Sequence, residues 1–73
     1  MLKDRLIQAQ AHAEANPRPT TLRLWRDGVE VEMWDGGRCI ARRLTWLDIE
    51  SARTNHLMSM IDECNAVLTK ETL

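Results

Sequence analysis

The sequence contains neither tyrosine nor phenylalanine, and it has only three glycines, two prolines and two cysteines among 73 residues. So few cysteines give no support to a disulfide-rich secreted scaffold. The net charge of −1 gives none to a general binder of nucleic acid or of membrane surfaces. No stretch approaches the ~20 apolar residues of a membrane span, and the polar first 16 residues lack the apolar run of a signal peptide. We therefore expect a small cytoplasmic domain that makes no membrane contact.

Residue patterns of catalytic and metal sites are also missing. His12 and His56 stand at no ligand spacing from Cys39 or Cys64, so the sequence predicts no zinc site. The three glycines fall where turns are expected and form no phosphate-binding loop. No serine lies on a strand-to-helix elbow. We predict that the protein is not an enzyme and holds neither metal nor cofactor.

Residues 20–44 carry the strongest pattern in the chain, because two glycine-containing turns separate three alternating segments. The pattern predicts three antiparallel strands. Asp27-Gly28 suits a two-residue type I′ turn, in which both central residues have positive φ. That turn would place Arg23 directly opposite Glu32 as a cross-strand ion pair.

The second turn, at residues 35–37, fits a loop of two, three or four residues. A Gly36-Gly37 turn or a four-residue loop pairs Met33 with Ile40. We prefer these two because a three-residue loop would turn the polar side of the third strand inward.

Alternation along the strands gives the predicted sheet two different faces. The inner face is apolar and carries Leu22, Leu24, Val29, Val31, Met33, Ile40 and Leu44. The outer face carries two of the three tryptophans among charged residues: Arg23, Trp25, Glu30, Glu32, Trp34 and Arg43. Cys39 falls on this outer face and Cys64 on the inner side of the last helix, so we expect no disulfide between them.

Helices are predicted on both sides of the meander. Residues 1–16 are rich in strong helix formers, and the two prolines of residues 17–19 impose an extended linker. Thr45 and Asp48 have the spacing of a capping box, which begins a helix over about residues 46–70. The polar run at residues 53–56 indicates an alternative, in which this helix is kinked or broken.

The last predicted helix is longer than the sheet beneath it. Twenty-five helical residues span roughly 37 Å, whereas a seven-residue strand spans roughly 23 Å. The overhang would expose an apolar stripe of Leu57, Met60, Ile61, Cys64, Val67 and Leu68. We therefore expect a homodimer in which a second copy covers this stripe.

The predicted fold is a single α+β domain over residues 1–73, in the order α-β-β-β-α, with both helices packed on the apolar face of the meander. This order resembles that of the double-stranded-RNA-binding domain. The meander and the helix after it are similar to the sheet-reading DNA-binding domains of the plant ethylene-response type, which present arginine and tryptophan from their strands as Arg23 and Trp25 would. The acidic start of the last helix departs from the first family, and Glu30 and Glu32 depart from the basic face of the second. We assign the chain to neither.

The outer face is the strongest candidate for function, because tryptophan and arginine carry much of the binding energy at protein interfaces. We predict a non-enzymatic protein-binding module, either an adaptor or a stoichiometric inhibitor. By analogy of size alone, phage and mobile-element accessory proteins that block a host complex are of this kind. A structural alternative is that the tryptophans only shield the sheet. A functional alternative is a nucleic-acid-binding or transcription-regulatory protein that uses Arg38, Arg42 and Arg43.

Overall fold

A computed structural model describes residues 1–71 of the chain, so the last two residues of the predicted domain lie outside the described part. The elements are α1 (Leu2–Ala15), β1 (Thr20–Leu24), β2 (Gly28–Asp35), β3 (Arg38–Thr45), α2 (Trp46–Ser51) and α3 (His56–Glu71). The strands form an antiparallel meander in the order β1-β2-β3. The predicted α+β fold is confirmed. None of the helices in residues 1–71 has the length and apolar character needed to cross a bilayer.

The predicted helix over residues 46–70 is divided in two, at the polar run that indicated a break. Helix α2 ends at Ser51, after which Ala52 is extended with ψ 149°. The side-chain oxygen of Asn55 then accepts a hydrogen bond from the Leu57 N–H at 3.2 Å, which is the contact of a helix N-cap. The Asn55 amide also donates to the Arg5 carbonyl oxygen at 2.9 Å. A continuous helix is therefore wrong, because Asn55 begins a new helix and ties it to α1.

The capping box at the start of α2 is confirmed. The Thr45 hydroxyl oxygen accepts from the Asp48 N–H at 3.1 Å, and the Asp48 carboxylate accepts from the Thr45 N–H at 3.4 Å. Two of the N–H groups that a helix start leaves without partners are thereby satisfied.

The type I′ turn predicted at Asp27-Gly28 is wrong. Leu24 pairs with Val29 and Arg23 pairs with Glu30, so β1 is shifted by two residues from the predicted register. Within the described chain positive φ occurs only at Gly36, which excludes the predicted turn type. A shift of two residues preserves the alternation of side chains between the two faces. The predicted inner and outer faces of the sheet are therefore correct although the register is not.

Tertiary contacts explain the different turn. The Trp46 indole N–H donates to the Arg26 carbonyl oxygen at 2.8 Å, and the Trp46 backbone N–H donates to the Asp27 carbonyl oxygen at 3.1 Å. Gly28 already belongs to β2 and lies opposite Thr45 of β3. The contact with the junction of β3 and α2 therefore determines the shape of the hairpin end. Local turn preferences carry no information about this contact.

The second turn has the register that we preferred from the sequence. Met33 pairs with Ile40 and Asp35 with Arg38, which leaves Gly36-Gly37 as a two-residue turn. Gly36 has φ +63°, the left-handed conformation that glycine adopts without steric cost.

The core lies between the inner face of the sheet and the helices. Its buried residues are Ala9, Ala13, Val29, Val31, Met33, Ile49, Leu57, Ile61, Cys64 and Leu68. The alanines of α1 allow that helix to approach closely. Leu24 is an exception to the predicted inner face, because it is 67% exposed on the edge strand β1.

The overhanging stripe that motivated the predicted homodimer is not present. Leu57, Ile61, Cys64 and Leu68 are at most 1% exposed within a single chain, because the break after α2 lets the shorter α3 lie over the sheet. Met60 and Val67 are half-buried. Four of the six residues predicted at a dimer interface are thus core residues, and homodimerisation remains a prediction that requires another surface.

We predict that Gly28→Ala destabilises the fold by about 3 kcal/mol, the upper end of the range for overpacking. A Cβ at this position would fall on the Leu44 carbonyl oxygen and lie 2.8 Å from Thr45 Cα. Both are backbone atoms of β3 and cannot move aside as a side chain can. Urea unfolding followed by circular dichroism measures the loss.

Two other glycines serve as matched controls. Nothing lies within 4 Å of a Cβ at Gly37, so Gly37→Ala should change stability by less than about 0.5 kcal/mol. Gly36→Ala should cost about 1 kcal/mol through its positive φ alone. Equal stability of the Gly28 and Gly37 variants would contradict the close approach at Gly28.

Candidate protein-binding face

The six residues predicted at the partner-binding site lie together on the outer face of the sheet. Arg23 comes from β1, Glu30, Glu32 and Trp34 from β2, Arg43 from β3, and Trp25 from the loop after β1. The buried residues of α1, α2 and α3 belong to the core on the opposite side. Trp25 is 44% exposed and Trp34 is 43% exposed. In the single chain, the outer face is therefore open to solvent.

Trp25 lies at one end of this face, beneath an arginine. The Arg43 guanidinium carbon is 4.6 Å from the centroid of the Trp25 ring, the geometry of a cation–π contact. Arg43 Nε also donates to Glu30 Oε2 at 3.3 Å, and these two residues face each other across β2 and β3. Glu30 thus positions the arginine, and the arginine positions the ring.

Trp34 lies at the other end and is held by the second carboxylate. Its indole N–H donates to Glu32 Oε1 at 3.2 Å, and Arg23 Nη2 is 3.9 Å from the same oxygen. The predicted Arg23–Glu32 ion pair is therefore present, but diagonally, because Arg23 lies directly opposite Glu30.

The charged side chains of the outer face differ in solvent exposure. The side chains of Glu30 and Glu32 are 15% and 20% exposed, whereas those of Arg43 and Arg23 are 65% and 55% exposed. Ion pairs with one exposed partner contribute only about 0–1 kcal/mol to stability. Their main effect is geometric: the carboxylates lie low, and the face presents tryptophan rings and guanidinium groups to solvent.

A shallow cavity of about 180 Å³ adjoins the Trp25 end. Trp25 and Arg43 form one side, and residues 26–29, Leu44, Thr45 and Asp48 form the rest. Its size is comparable to the ~150 Å³ cavities that admit a benzene ring. The sequence did not predict this cavity, because its lining residues come from the hairpin end and from the β3–α2 junction, which Trp46 joins by hydrogen bonds to Arg26 and Asp27.

The predicted basic cluster is not assembled on one surface. Alternation along β3 places Arg43 on the outer face and Arg38 and Arg42 on the other side. Arg38 donates to the Asp35 carboxylate at 2.8 Å and to the Leu68 carbonyl oxygen at 2.9 Å. Two of the three arginines are thus engaged in ion pairs with carboxylates of the same chain.

Comparison of the chain with protein-family models, with curated proteins and with solved structures finds no match.

Candidate metal ligands do not cluster in the described residues. No three of the histidines, cysteines, aspartates and glutamates of residues 1–71 are grouped in a way that could hold a metal ion. His12 Nε2 lies 2.7 Å from Asp62 Oδ1, a contact that joins α1 to α3.

The two cysteines are free and lie on different sides of the sheet, as predicted: Cys39 is exposed on the outer face and Cys64 is buried in the core. The pKa of the Cys64 thiol is raised because burial removes water from it. The pKa of the Cys39 thiol is raised by partial desolvation at the sheet surface, and then by the negative charges of Glu32 and Glu30. Cys39 is therefore accessible but weakly nucleophilic at neutral pH, since the thiolate is the reactive form.

We predict that Glu32→Gln accelerates alkylation of Cys39 at neutral pH. Removing this charge lowers the thiol pKa toward its ordinary value, which increases the thiolate fraction. Reaction with neutral iodoacetamide, followed by mass spectrometry from about pH 6 to about pH 10, should show a rate profile whose midpoint lies at lower pH in the variant.

Glu63→Gln is the matched control, because Glu63 raises the pKa of Cys64 rather than that of Cys39. An identical shift of the profile in both glutamine variants would contradict the assigned electrostatics.

Proposed function

We propose that this protein acts by binding a partner protein through the outer face, as an adaptor or stoichiometric inhibitor without catalytic activity. The observation that carries the proposal is the half-exposure of Trp25 and Trp34 on one solvent-facing sheet surface. Solvent-facing positions of a sheet are usually polar. Exposed apolar rings bordered by polar groups are typical of interaction sites.

Preorganisation supports this proposal. Arg43 lies over the Trp25 ring and Glu32 accepts from the Trp34 indole. Both rings therefore lose little side-chain entropy on binding, a cost of about 0.5–1.5 kcal/mol per mobile side chain. The cavity beside Trp25 gives a partner side chain a place to insert, and anchors of interfaces commonly fill such pockets.

Charge on the face favours a protein over a nucleic acid. Two arginines and two glutamates balance each other across the strands. Each guanidinium group is already paired with a carboxylate, so the face has no excess positive charge with which to hold a phosphate backbone. A partner with an apolar centre and acidic groups at its rim complements the tryptophans and the outward guanidinium groups.

We further propose that the protein works in the cytoplasm. Two free cysteines, one of them exposed, suit a reducing compartment.

Cys39 provides a specific test, because it is the exposed cysteine of the outer face. A photoreactive maleimide attached there should cross-link the partner in an extract of the native host. The same reagent on Ser59→Cys, in a Cys39→Ser background, reports from an exposed position of α3 instead. The partner identified from Cys39 is then purified and its affinity measured by calorimetry.

We predict that Trp25→Ala/Trp34→Ala weakens this affinity by about 30-fold or more, the equivalent of about 2 kcal/mol for hot-spot residues. The variant should stay folded, since both rings lie outside the core. Leu47→Ala is the control, because this leucine of α2 is 72% exposed but belongs neither to the outer face nor to the β1 edge. Equal weakening by the double variant and the control, or recovery of nucleic acid alone with steep salt dependence, would reject the proposal.

A further inference from the structure

Strand β1 is an unprotected sheet edge. The strand order β1-β2-β3 leaves β1 and β3 as the two edges. Edge strands are normally defended by charge. Strand β3 carries three arginines, whereas β1, with the sequence TTLRL, carries only Arg23. Of the two edges, β1 is therefore the one suited to pair with another strand.

Hydrogen bonding shows which groups of β1 are directed to this edge. Trp25 N–H donates to the Gly28 carbonyl oxygen, and Trp34 N–H donates to the Pro19 carbonyl oxygen. Backbone bonding alternates along an antiparallel strand, so residues 19, 21, 23 and 25 bond to β2. The N–H and C=O groups of Thr20, Leu22 and Leu24 consequently point away from β2.

An apolar groove follows the same edge on the inner side of the sheet. It has a volume of about 250 Å³ between α1 and β1 and is lined by Leu6, Ile7, Gln10, Leu22 and Leu24. Ile7 is 59% exposed and Leu24 is 67% exposed. A partner on this edge could therefore gain both backbone hydrogen bonds and apolar contact.

We infer that the occupant is a second copy of the chain, joined by antiparallel pairing of the two β1 strands about a two-fold axis at Leu22. Leu22 then faces its counterpart, and Thr20 faces Leu24 in both directions. These three pairs use the backbone N–H and C=O groups that point away from β2 in both strands. Each pair exchanges two hydrogen bonds. A two-fold axis at Arg23 would place the two Arg23 side chains, which carry like charges, opposite each other. It would also require backbone groups that already bond to β2.

Helix α1 supports the same arrangement. Its hydrogen bonds to the region from α2 to α3 are made by Arg5, Gln8 and His12. At 100° per residue, the side turned away from α3 carries Lys3, Ile7, Gln10 and Glu14, all exposed. The two-fold axis sets both α1 helices side by side and antiparallel. Lys3 near the start of one helix then approaches Glu14 near the end of the other, so the charges are complementary.

The resulting dimer has a continuous six-stranded sheet with both outer faces on one side. This inference does not depend on the proposed partner protein. It also differs from the homodimer predicted through α3, because it uses the β1 edge and α1.

Sedimentation equilibrium at micromolar concentration tests the assembly. The wild type should sediment at twice the chain mass of 8.4 kDa. Leu24→Lys should raise the dimer dissociation constant by about tenfold or more, because it places a charge between the two paired β1 strands. Leu47→Lys changes a similarly exposed leucine that lies away from the paired strands and should leave the dimer intact. A monomeric wild type, or equal weakening by both variants, overturns the inference.

Cysteine cross-linking tests the register. In a Cys39→Ser background, Leu22→Cys should form an intermolecular disulfide on mild oxidation, because residues paired in this way have Cα atoms about 5.5 Å apart. Thr21→Cys is the control: it is more exposed than Leu22 but would face Arg23 of the other copy. Faster cross-linking through residue 21 than through residue 22 would overturn the two-fold axis at Leu22.

Discussion

The contact between the end of the first hairpin and the junction of β3 with α2 determines much of this structure. Trp46 donates two hydrogen bonds to the carbonyl oxygens of Arg26 and Asp27, and Gly28 lies against the Leu44 carbonyl with no room for a Cβ. Together they fix where β2 begins and how β1 is aligned with it. The same alignment brings Trp25 beneath Arg43. One packing constraint at the hairpin end therefore sets both the sheet register and one end of the outer face.

The break between α2 and α3 is the second feature on which the arrangement of the faces depends. A continuous helix would extend beyond the sheet and expose its apolar stripe. Two shorter helices separated by Ala52–Asn55 instead follow the inner face, so Ile49 and Leu57 are both fully buried. Asn55 stabilises this arrangement by capping α3 and bonding to the Arg5 carbonyl. The helices thus complete one core on one side of the sheet and leave the outer face uncovered.

The sequence predicted the faces of the sheet more accurately than its turns, and the difference has a physical reason. Side-chain alternation depends only on residue parity, so Val31 stayed inward and Glu32 outward even though the hairpin register differed by two residues. The turn at Asp27-Gly28 could not be predicted from local preference, because Trp46 and Leu44 determine it from about 20 residues away along the chain. The cavity beside Trp25 was missed for the same reason. The capping box and the Gly36-Gly37 turn depend on neighbouring residues alone, and both were predicted.

The two edges of the sheet show how charge placement can separate two proposed binding surfaces on a small chain. Arg38 is held by Asp35 and by the end of α3, and Arg43 is held by Glu30, so the arginines of β3 contribute to the fold while keeping that edge charged. On β1 the single charge, Arg23, is turned to the outer face, where it approaches Glu32. The inner side of the same strand carries leucines next to the open edge. A strand can therefore contribute a polar group to one surface and apolar groups to another, because successive side chains point to opposite faces. In a domain with so small a core, this alternation would let the proposed partner bind the outer face and a second copy bind the β1 edge without competing for the same side chains.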